Sequence, residues 1–308
     1  MTDLHQRTLR ALALNRVPGF HFIGNFLGVM FTALSRAESQ VRLDTGPYTK
    51  DVDGQHNFGV VALLADVALA SVVRANLVPS QRLGTVNLQL QFTGAAARGD
   101  LTGIGYFEGF LQDATGQQGL SRATVKADGQ TLAFGTGAFM VLNPPPGVTM
   151  YPLVNADHAC VAPLPEESLT PAERQTLALL DTAAEGPLSG FLTRLWGYEA
   201  QPKPGGAVVQ IQNGPHIGNR VGHMQGGLQV GLAMAAANAA LPAGWTLSGL
   251  KACFVSPGEG RVLRATARVL HRGRQTAVVQ TTLTGKRRRR VLEVLSTHVV
   301  RGDTPNRV

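Results

Sequence analysis

The stretch that decides the fold is Asn219-Arg-Val-Gly222-His-Met-Gln225-Gly226-Gly227, which is followed by the apolar run LQVGLAMAAANAA. The first half of the chain contains a matching arrangement, Asp51-Val-Asp-Gly54-Gln-His-Asn57-Phe58-Gly59, followed by VVALLADVALASVV. Gly54 matches Gly222, and Gly59 matches Gly227 at the same offset. A motif that recurs at identical internal spacing predicts a duplicated structural unit.

The apolar run after Gly59 predicts a buried helix. Its residues up to Arg74 leave almost no polar face, and a helix that is apolar all round must be buried on all sides. The run is too short to span a membrane. The simplest arrangement is an antiparallel sheet wrapped around the helix.

Alternating strands follow each predicted helix. Val86, Leu88, Leu90 and Phe92 alternate with polar residues, which is typical of a half-buried strand. In the second half, WTLSGLKACF ends at Phe254, which matches Phe92. Further strands are predicted in SRATVKADGQTLAFGTGAFMVL and in TAVVQTTLTGKRRRRVLEVLSTHVV. The fold class is therefore α+β, with two tandem units that each wrap an antiparallel sheet around one long helix.

Three consecutive prolines separate the two units. The segment Asn143-Pro-Pro-Pro-Gly147 ends the last strand of the first unit, because proline cannot join a strand ladder. Thr170-Pro171-Ala-Glu173 predicts the start of a helix. We therefore expect an N-terminal domain at 1–142, a linker at 143–170 and a C-terminal domain at 171–308.

The composition excludes several classes of protein. A hydrophobic fraction of 44% indicates a packed protein, and the formal charge of +8 is partly concentrated in the basic run 286–290. No aromatic residues interleave with that run, so we expect no nucleic-acid partner. Cys160 and Cys253 lie far apart, which indicates a reducing compartment and no thiolate metal site. We expect a cytoplasmic protein without a membrane span.

The two motifs resemble the hotdog thioesterase superfamily, specifically its phenylacetyl-CoA-type (PaaI-like) branch. The hallmark of that branch is Asn-x-x-Gly-x-x-His-Gly-Gly, followed by a helix that carries Leu-x-Asp. The resemblance covers nearly the whole chain, once in each half, and is weakest in the N-terminal 40 residues and the linker. It implies a tandem hotdog fold and hydrolysis of an acyl-CoA thioester.

The resemblance implies one nearly complete active site between the two units. In this branch, one unit supplies a carboxylate from its helix and a hydroxyl from a following strand, which correspond here to Asp66 and Thr85. The other unit supplies the start of its helix and the preceding polar residues. These correspond to Asn219, Gln225, Gly226 and Gly227, with Gln225 in place of the usual His.

The reciprocal site is predicted to be degenerate. Met234 occupies the position that matches Asp66, so this site lacks a carboxylate. The positions that match Asn219, Gln225 and Gly226 hold Asp51, Asn57 and Phe58, and we expect the large side chain of Phe58 to crowd a carbonyl group approaching the helix N-terminus.

Chemical arguments that do not depend on the resemblance also support the nearly complete site. Glycines at a helix start present unpaired N–H groups and the positive end of the helix dipole to an oxyanion. A carboxylate in an apolar helix is costly to bury, and its pKa should rise and make it a better base. Asp66 could act as general base or as nucleophile, and Thr85 could hold either the carboxylate or the attacking water. Asn219 and Gln225 could orient the substrate carbonyl or the loop.

Three functions are compatible with the sequence. Thioester hydrolysis comes first and a non-catalytic acyl-binding or regulatory protein second. A dehydratase or hydratase ranks last, because neither predicted helix carries a histidine. The expected partner is a small acyl thioester on CoA or an acyl carrier protein, with no other cofactor and no metal. We also expect a homodimer of double units.

Other polar groups receive simpler interpretations. His56 and His223 are interpreted as loop histidines. The basic run from Lys286 to Arg290 is interpreted as a solvated hairpin tip, with a contact to the phosphates of coenzyme A as the alternative. The identity of the acyl group does not follow from the sequence.

Overall fold

The computed structural model describes residues 3–17, 19–111, 117–147, 150, 153, 155 and 161–302. In the first half, the elements are α1 (Asp3–Asn15), α2 (Phe22–Phe26), β1 (Met30–Leu34), β2 (Glu38–Arg42), α3 (Phe58–Arg74), β3 (Arg82–Phe92), β4 (Leu101–Phe110), β5 (Gln118–Ala127) and β6 (Gln130–Leu142). In the second half, they are α4 (Pro171–Ala184), α5 (Phe191–Trp196), β7 (Ala200–Lys203), β8 (Gly206–Gln212), α6 (Gly226–Ala239), β9 (Trp245–Phe254), β10 (Val262–Arg272), β11 (Thr276–Thr284) and β12 (Arg290–Val300).

These strands form one 12-stranded sheet in the order β1-β2-β4-β5-β6-β3-β9-β12-β11-β10-β8-β7. The order is symmetric about its centre, since β1 to β6 and β7 to β12 occupy corresponding places when read from the two ends. At the centre, β3 pairs antiparallel with β9, from Asn87 opposite Cys253 to Gln91 opposite Gly249. A continuous backbone ladder therefore joins the two halves.

Each half of the sheet packs against its own long helix. Helix α3 contacts β2 to β6, and α6 contacts β7 to β12. Every residue of α3 from Gly59 to Val73 except Ala70 is buried. Each buried leucine of α3 contributes about 1.5–3 kcal/mol relative to an exposed one. This burial explains why a helix with almost no polar face is stable here.

Two serines on the inner face of the sheet bind the middle of α3. Ser39 Oγ donates to the carbonyl of Ala68 at 3.0 Å, and Ser121 Oγ donates to the carbonyl of Leu69 at 2.9 Å. Both serines are buried. A buried hydroxyl needs a partner, and each of these bonds contributes about 1 kcal/mol while fixing the helix along its axis.

The helices α3 and α6 approach each other closely through glycine. A Cβ on Gly227 would lie 2.5 Å from Leu63 Cα and 2.6 Å from the carbonyl oxygen of Ala62. A Cβ on Gly231 would lie 2.9 Å from Gly59 Cα. Only glycine permits this backbone contact, and it brings the start of α6 against the middle of α3.

The N-terminal parts of both halves contain strands that the sequence did not predict. Strands β1 and β2 precede α3, and β7 and β8 precede α6. Three of these four are no longer than five residues, so too few residues alternate to reveal a strand pattern. β1 and β7 lie at the two edges of the sheet.

Only part of the predicted linker is described, and Cys160 lies outside the described residues. Within it, the side chain of Asn155 exchanges two 2.7 Å hydrogen bonds with the backbone of Phe31 in β1. Helix α4 starts as predicted, with Thr170 and Glu173 forming a capping box. The domain boundaries stay a prediction. In the part of the chain that the structure describes, none of the helices is long and apolar enough to cross a membrane.

Candidate active site

Asp66 lies at the point where α3 meets the start of α6. Its Oδ2 accepts hydrogen bonds from Gln225 Nε2 at 2.7 Å and from the Gly227 N–H at 3.2 Å. Its Oδ1 accepts from Thr85 Oγ1 at 3.4 Å. The structure thus brings Asp66 and Thr85 of the first half together with Gln225 and Gly227 of the second.

Gln225 is the N-cap of α6. Its Oε1 accepts the Leu228 N–H at 2.8 Å, which satisfies one of the unpaired donors at the helix start. This bond orients the amide so that Nε2 is directed at Asp66. One side chain therefore caps the helix and holds the carboxylate in place.

Burial raises the pKa of Asp66 to about 6. Loss of solvation is the largest cause, since the residue is only 5% exposed. The Gly227 N–H, the Thr85 hydroxyl and the Gln225 amide favour the charged form and lower the pKa in part. The result is a carboxyl group that is mostly ionised at neutral pH and basic enough to accept a proton from water.

The two glycines at the start of α6 serve different purposes. A Cβ on Gly226 would lie 2.9 Å from Asp66 Oδ2 and 3.3 Å from Thr85 Oγ1, so glycine leaves this space open beside the carboxylate. Among the described residues, the Gly226 N–H has no acceptor. The Gly227 N–H was expected to face a substrate, but it donates to Asp66 because the close helix contact points it at α3.

Asn219 lies near this cluster without touching Asp66. Its Oδ1 accepts the N–H groups of Val221 and His223, both at 3.0 Å, and so closes the loop that leads to Gln225. Gly222 in this loop has a φ of +78°, and the matching Gly54 has +75°. This left-handed conformation explains why both motifs carry glycine at that position.

A cavity of about 250 Å³ opens beside the carboxylate. Asp66, Thr85, Gln225, Gly226 and Asn219 form the part of its polar wall that surrounds the carboxylate. Ala70 and Arg74 line it as well and follow Asp66 at four-residue intervals on α3. The cavity therefore extends along one face of the helix over roughly 12 Å. The apolar lining consists of Phe20, Phe31, Val67, Ala70, Leu83, Phe139, Met150, Leu153 and Val221.

His21 and Arg220 are among the polar residues of the cavity wall that the sequence did not reveal. His21 caps α2 by accepting the Gly24 N–H at Nδ1, and burial, with a smaller effect of Arg220, lowers its pKa to about 4. Arg220 donates to the carbonyls of Asn15, Val17, Gly19 and Phe20. His21 lies in the segment that resembles the family least, and only the tertiary structure brings Arg220 against that segment.

The reciprocal site, at the start of α3, contains different residues and different hydrogen bonds. Met234 replaces the carboxylate and is fully buried. Asn57 caps α3 by accepting the Gly59 N–H at 2.8 Å, while its Nδ2 donates to the carboxylate of Asp51 and to Thr193 Oγ1. The polar groups at this position are therefore bonded to one another.

Aromatic side chains fill the space around that helix start. Phe58 packs its ring against Phe92, with 5.6 Å between the ring centroids. Trp196 lies over Gly59, where a Cβ would come within 2.6 Å of the indole ring. Phe58 was expected to obstruct the helix start, whereas the side chain that covers Gly59 is that of Trp196 in α5.

The histidines beside the two motifs have structural partners. His56 Nδ1 bonds Thr49 Oγ1 at 2.9 Å and its Nε2 bonds the Gly99 carbonyl at 2.6 Å, while burial lowers its pKa. His223 Nε2 lies 3.2 Å from a carboxylate oxygen of Glu259. The described residues contain no group of three or more His, Cys, Asp or Glu side chains that could hold a metal ion.

Comparison with known protein families matches residues 216–302 to the acyl-CoA thioesterase N-terminal domain. The matched segment contains Asn219, Gln225, Gly226 and Gly227, and it excludes Asp66 and Thr85. Among curated proteins, none matches the sequence.

Solved structures resemble the chain over nearly its full length. A Lactobacillus plantarum protein provisionally designated an oleoyl thioesterase is 11% identical, with a TM-score of 0.55 over 90% of this chain and 100% of that one. A hotdog-fold protein of unknown function from Alicyclobacillus acidocaldarius is 11% identical, with a TM-score of 0.52 over 92% and 99%. A Thermobifida fusca protein provisionally designated a thioesterase II is 15% identical, with a TM-score of 0.50 over 93% and 99%.

These likenesses show a hotdog-type fold. The match of residues 216–302 to an acyl-CoA thioesterase domain is the finding that points to thioesterase activity.

Proposed function

We propose that the chain is an acyl-CoA thioesterase with two tandem hotdog units of the phenylacetyl-CoA type and a single functional site. The symmetric strand order and the long helix in each half of the sheet support the tandem arrangement. The observation that carries the function is the buried carboxylate of Asp66, held by Gln225 and Gly227 at the wall of an apolar cavity.

In the proposed mechanism, the acyl group occupies the apolar part of the cavity and its thioester carbonyl lies beside Gly226. The Gly226 N–H, at the positive end of α6, then stabilises the negative charge that develops on the carbonyl oxygen. A donor of this kind commonly contributes roughly 10²–10³ in rate.

Two routes to hydrolysis fit this geometry. In the first, Asp66 removes a proton from water while the water oxygen attacks the carbonyl carbon. The C–S bond then breaks and the thiolate of CoA takes the proton from Asp66. In the second, a carboxylate oxygen of Asp66 attacks the carbonyl, expels CoA thiolate and forms an anhydride that water cleaves. Thr85 positions the carboxylate in both routes.

The reciprocal position at the start of α3 is proposed to be catalytically silent. It has Met234 in place of a carboxylate, and Trp196 covers Gly59. The bonds between Asn57, Asp51 and Thr193 leave these polar groups paired with one another.

The test is a thiol-release assay on the purified full-length chain with acyl-CoAs of varied chain length and aromatic content. We expect hydrolysis of at least one substrate, and the substitution Asp66→Asn should lower kcat by roughly 10²-fold or more. Asp51→Asn removes a carboxylate from the reciprocal position at the start of α3 and serves as the matched control. Wild-type activity in Asp66→Asn would refute the site. Tight binding without turnover across the panel would favour a non-catalytic acyl-binding protein instead.

The cytoplasmic location and the homodimer of double units stay predictions. Analytical ultracentrifugation of the purified chain tests the second.

A further inference from the structure

The hairpin turn that joins β11 to β12 consists of basic residues, two of which have a left-handed backbone conformation. It contains Lys286, Arg287, Arg288 and Arg289, and the backbone φ angles of Arg287 and Arg288 are +55° and +61°. Tight hairpin turns that need two left-handed residues in succession strongly favour Asn-Gly or a similar pair. Arginine is unfavourable at both left-handed positions of such a turn. Its presence there indicates that the charge of the side chains has a function of its own.

The turn forms one wall of a cavity of about 290 Å³ that is separate from the cavity at Asp66. Lys286, Arg287 and Arg289 contribute to its lining, together with Ser256 and Glu259. Within the described part of the chain, none of the three cationic residues forms an ion pair. The carboxylate of Glu259 is bonded to His223 at 3.2 Å. The lining therefore carries a clear excess of positive charge.

This basic pocket is linked to the candidate active site through one short turn. The Lys286 N–H donates to the carbonyl of Glu259 at 2.8 Å, and the Met224 N–H donates to the carbonyl of Gly258 at 3.0 Å. Met224 directly precedes Gln225, which holds Asp66. The turn at 256–260 thus contacts the basic hairpin on one side and the active-site loop on the other.

We propose that the pocket formed by Lys286, Arg287 and Arg289 binds the phosphate groups of coenzyme A while the acyl group occupies the cavity at Asp66. This inference rests on the proposed function. Guanidinium groups suit phosphate oxygens because they offer parallel N–H donors and a charge that persists at all physiological pH values. The long pantetheine arm of CoA would pass along the loop that contains Asn219 and His223.

The experiment measures binding by calorimetry with three probes: CoA, adenosine 3′,5′-bisphosphate and pantetheine, which has no phosphates. The test variant combines Arg287→Gln and Arg289→Gln, which keep most of each aliphatic stem. The matched control combines Arg272→Gln and Arg274→Gln, which remove equal charge at the hairpin turn on the other end of β11.

We expect the test variant to bind CoA and the bisphosphate at least roughly tenfold more weakly, because a hydrogen bond to a charged group typically contributes that much or more. Both double variants should bind pantetheine as the wild type does, and the control should also retain wild-type affinity for CoA. Added salt should reduce the difference for CoA, since exposed charges are screened.

The proposal is overturned if the test variant binds CoA as tightly as the wild type, or if both variants weaken CoA binding equally. It is also overturned if the test variant loses only activity on acyl groups attached to an acidic carrier protein, since the basic pocket would then recognise that protein. Failure of this proposal can be distinguished from failure of the proposed function. Hydrolysis tests the chemistry at Asp66, whereas CoA binding can be measured in the Asp66→Asn variant whether or not turnover occurs.

Discussion

The backbone N–H of Gly227 lies 3.2 Å from Oδ2 of Asp66, and the two residues belong to helices in opposite halves of the chain. The carboxylate therefore faces the positive end of α6, which favours its charged form. Burial opposes that effect and is the larger of the two, so the pKa of Asp66 rises to about 6.

The first prediction concerns the pH dependence of activity. If Asp66 must be ionised to act, kcat/KM should rise with pH through about 6 and level off above it. Initial rates at low substrate concentration, measured from about pH 4.5 to about pH 8, give this profile. A profile that is flat across this range would mean that Asp66 is not the group whose ionisation controls the reaction.

The second prediction concerns stability. Asp66 ionises near 3.8 in the unfolded chain and near 6 in the folded one, so the folded state holds its proton to higher pH. The free energy of unfolding must therefore fall as pH rises from about 4 to about 6, and it stays lower above that range. Asp66→Asn removes this cost and should stabilise the chain at pH 7 by up to about 3 kcal/mol.

Urea unfolding of wild type and Asp66→Asn at about pH 4 and about pH 7 checks this expectation. The stabilisation should be small at the lower pH, where both folded proteins carry an uncharged side chain. Equal differences at the two pH values would contradict it.

The third prediction compares the two side chains that bind Asp66. Gln225→Leu removes a 2.7 Å hydrogen bond to the carboxylate and should move the midpoint of the pH–rate profile above 6. Thr85→Val removes a longer contact of 3.4 Å and should move it less. Gln225→Leu should also cost about 1 kcal/mol of stability, because it removes the cap of α6. A downward shift in either variant would count against the assigned hydrogen bonds.

The fourth prediction separates the two adjacent glycines. Gly227→Ala would place a methyl group within 2.6 Å of backbone atoms of α3, so we expect a loss of several kcal/mol or failure to fold. Gly226→Ala meets the side chains of Asp66 and Thr85 instead, so the chain should fold and lose activity. Circular dichroism melting curves and thiol-release rates distinguish the two outcomes. The reverse pattern would show that the helix contact has been assigned incorrectly.

The fifth prediction concerns the reciprocal position at the start of α3. Met234→Asp restores a carboxylate where the motif expects one, but that site is fully buried and Trp196 covers Gly59. An unpartnered buried carboxylate is costly, so we expect destabilisation by several kcal/mol and no added activity. Activity that persists in the double variant Met234→Asp with Asp66→Asn, and exceeds that of Asp66→Asn alone, would show that this position can be revived.

The parts of the fold that the sequence predicted are those with long repeated patterns. Helix α3 was identified because its apolar run has almost no polar face, and α6 because Gly226 and Gly227 stand in register with the first motif. The short strands β1, β2 and β7 were not identified, since five residues or fewer alternate too briefly to be recognised. The β3–β9 pairing is a long-range contact with no local pattern.

The residues of the candidate site could likewise be predicted only where the sequence itself carries a pattern. Asp66 was identifiable because it is the only acidic residue in an apolar helix, and Gln225 because the duplicated motif aligns it. The role of Trp196 was not identifiable, since α5 belongs to the second half of the chain and reaches Gly59 only through tertiary packing. The direction of the Gly227 N–H was also missed, because it depends on how closely α3 and α6 approach.

The joining of β3 to β9 by a backbone ladder has a consequence for how the protein behaves on dilution. A site whose two halves came from separate chains would come apart at low concentration and lose activity with a second-order dependence on protein. Here both halves belong to one polypeptide, so the effective concentration of the start of α6 at Asp66 is fixed by the chain. Specific activity should therefore stay constant as the enzyme is diluted, whatever its state of association.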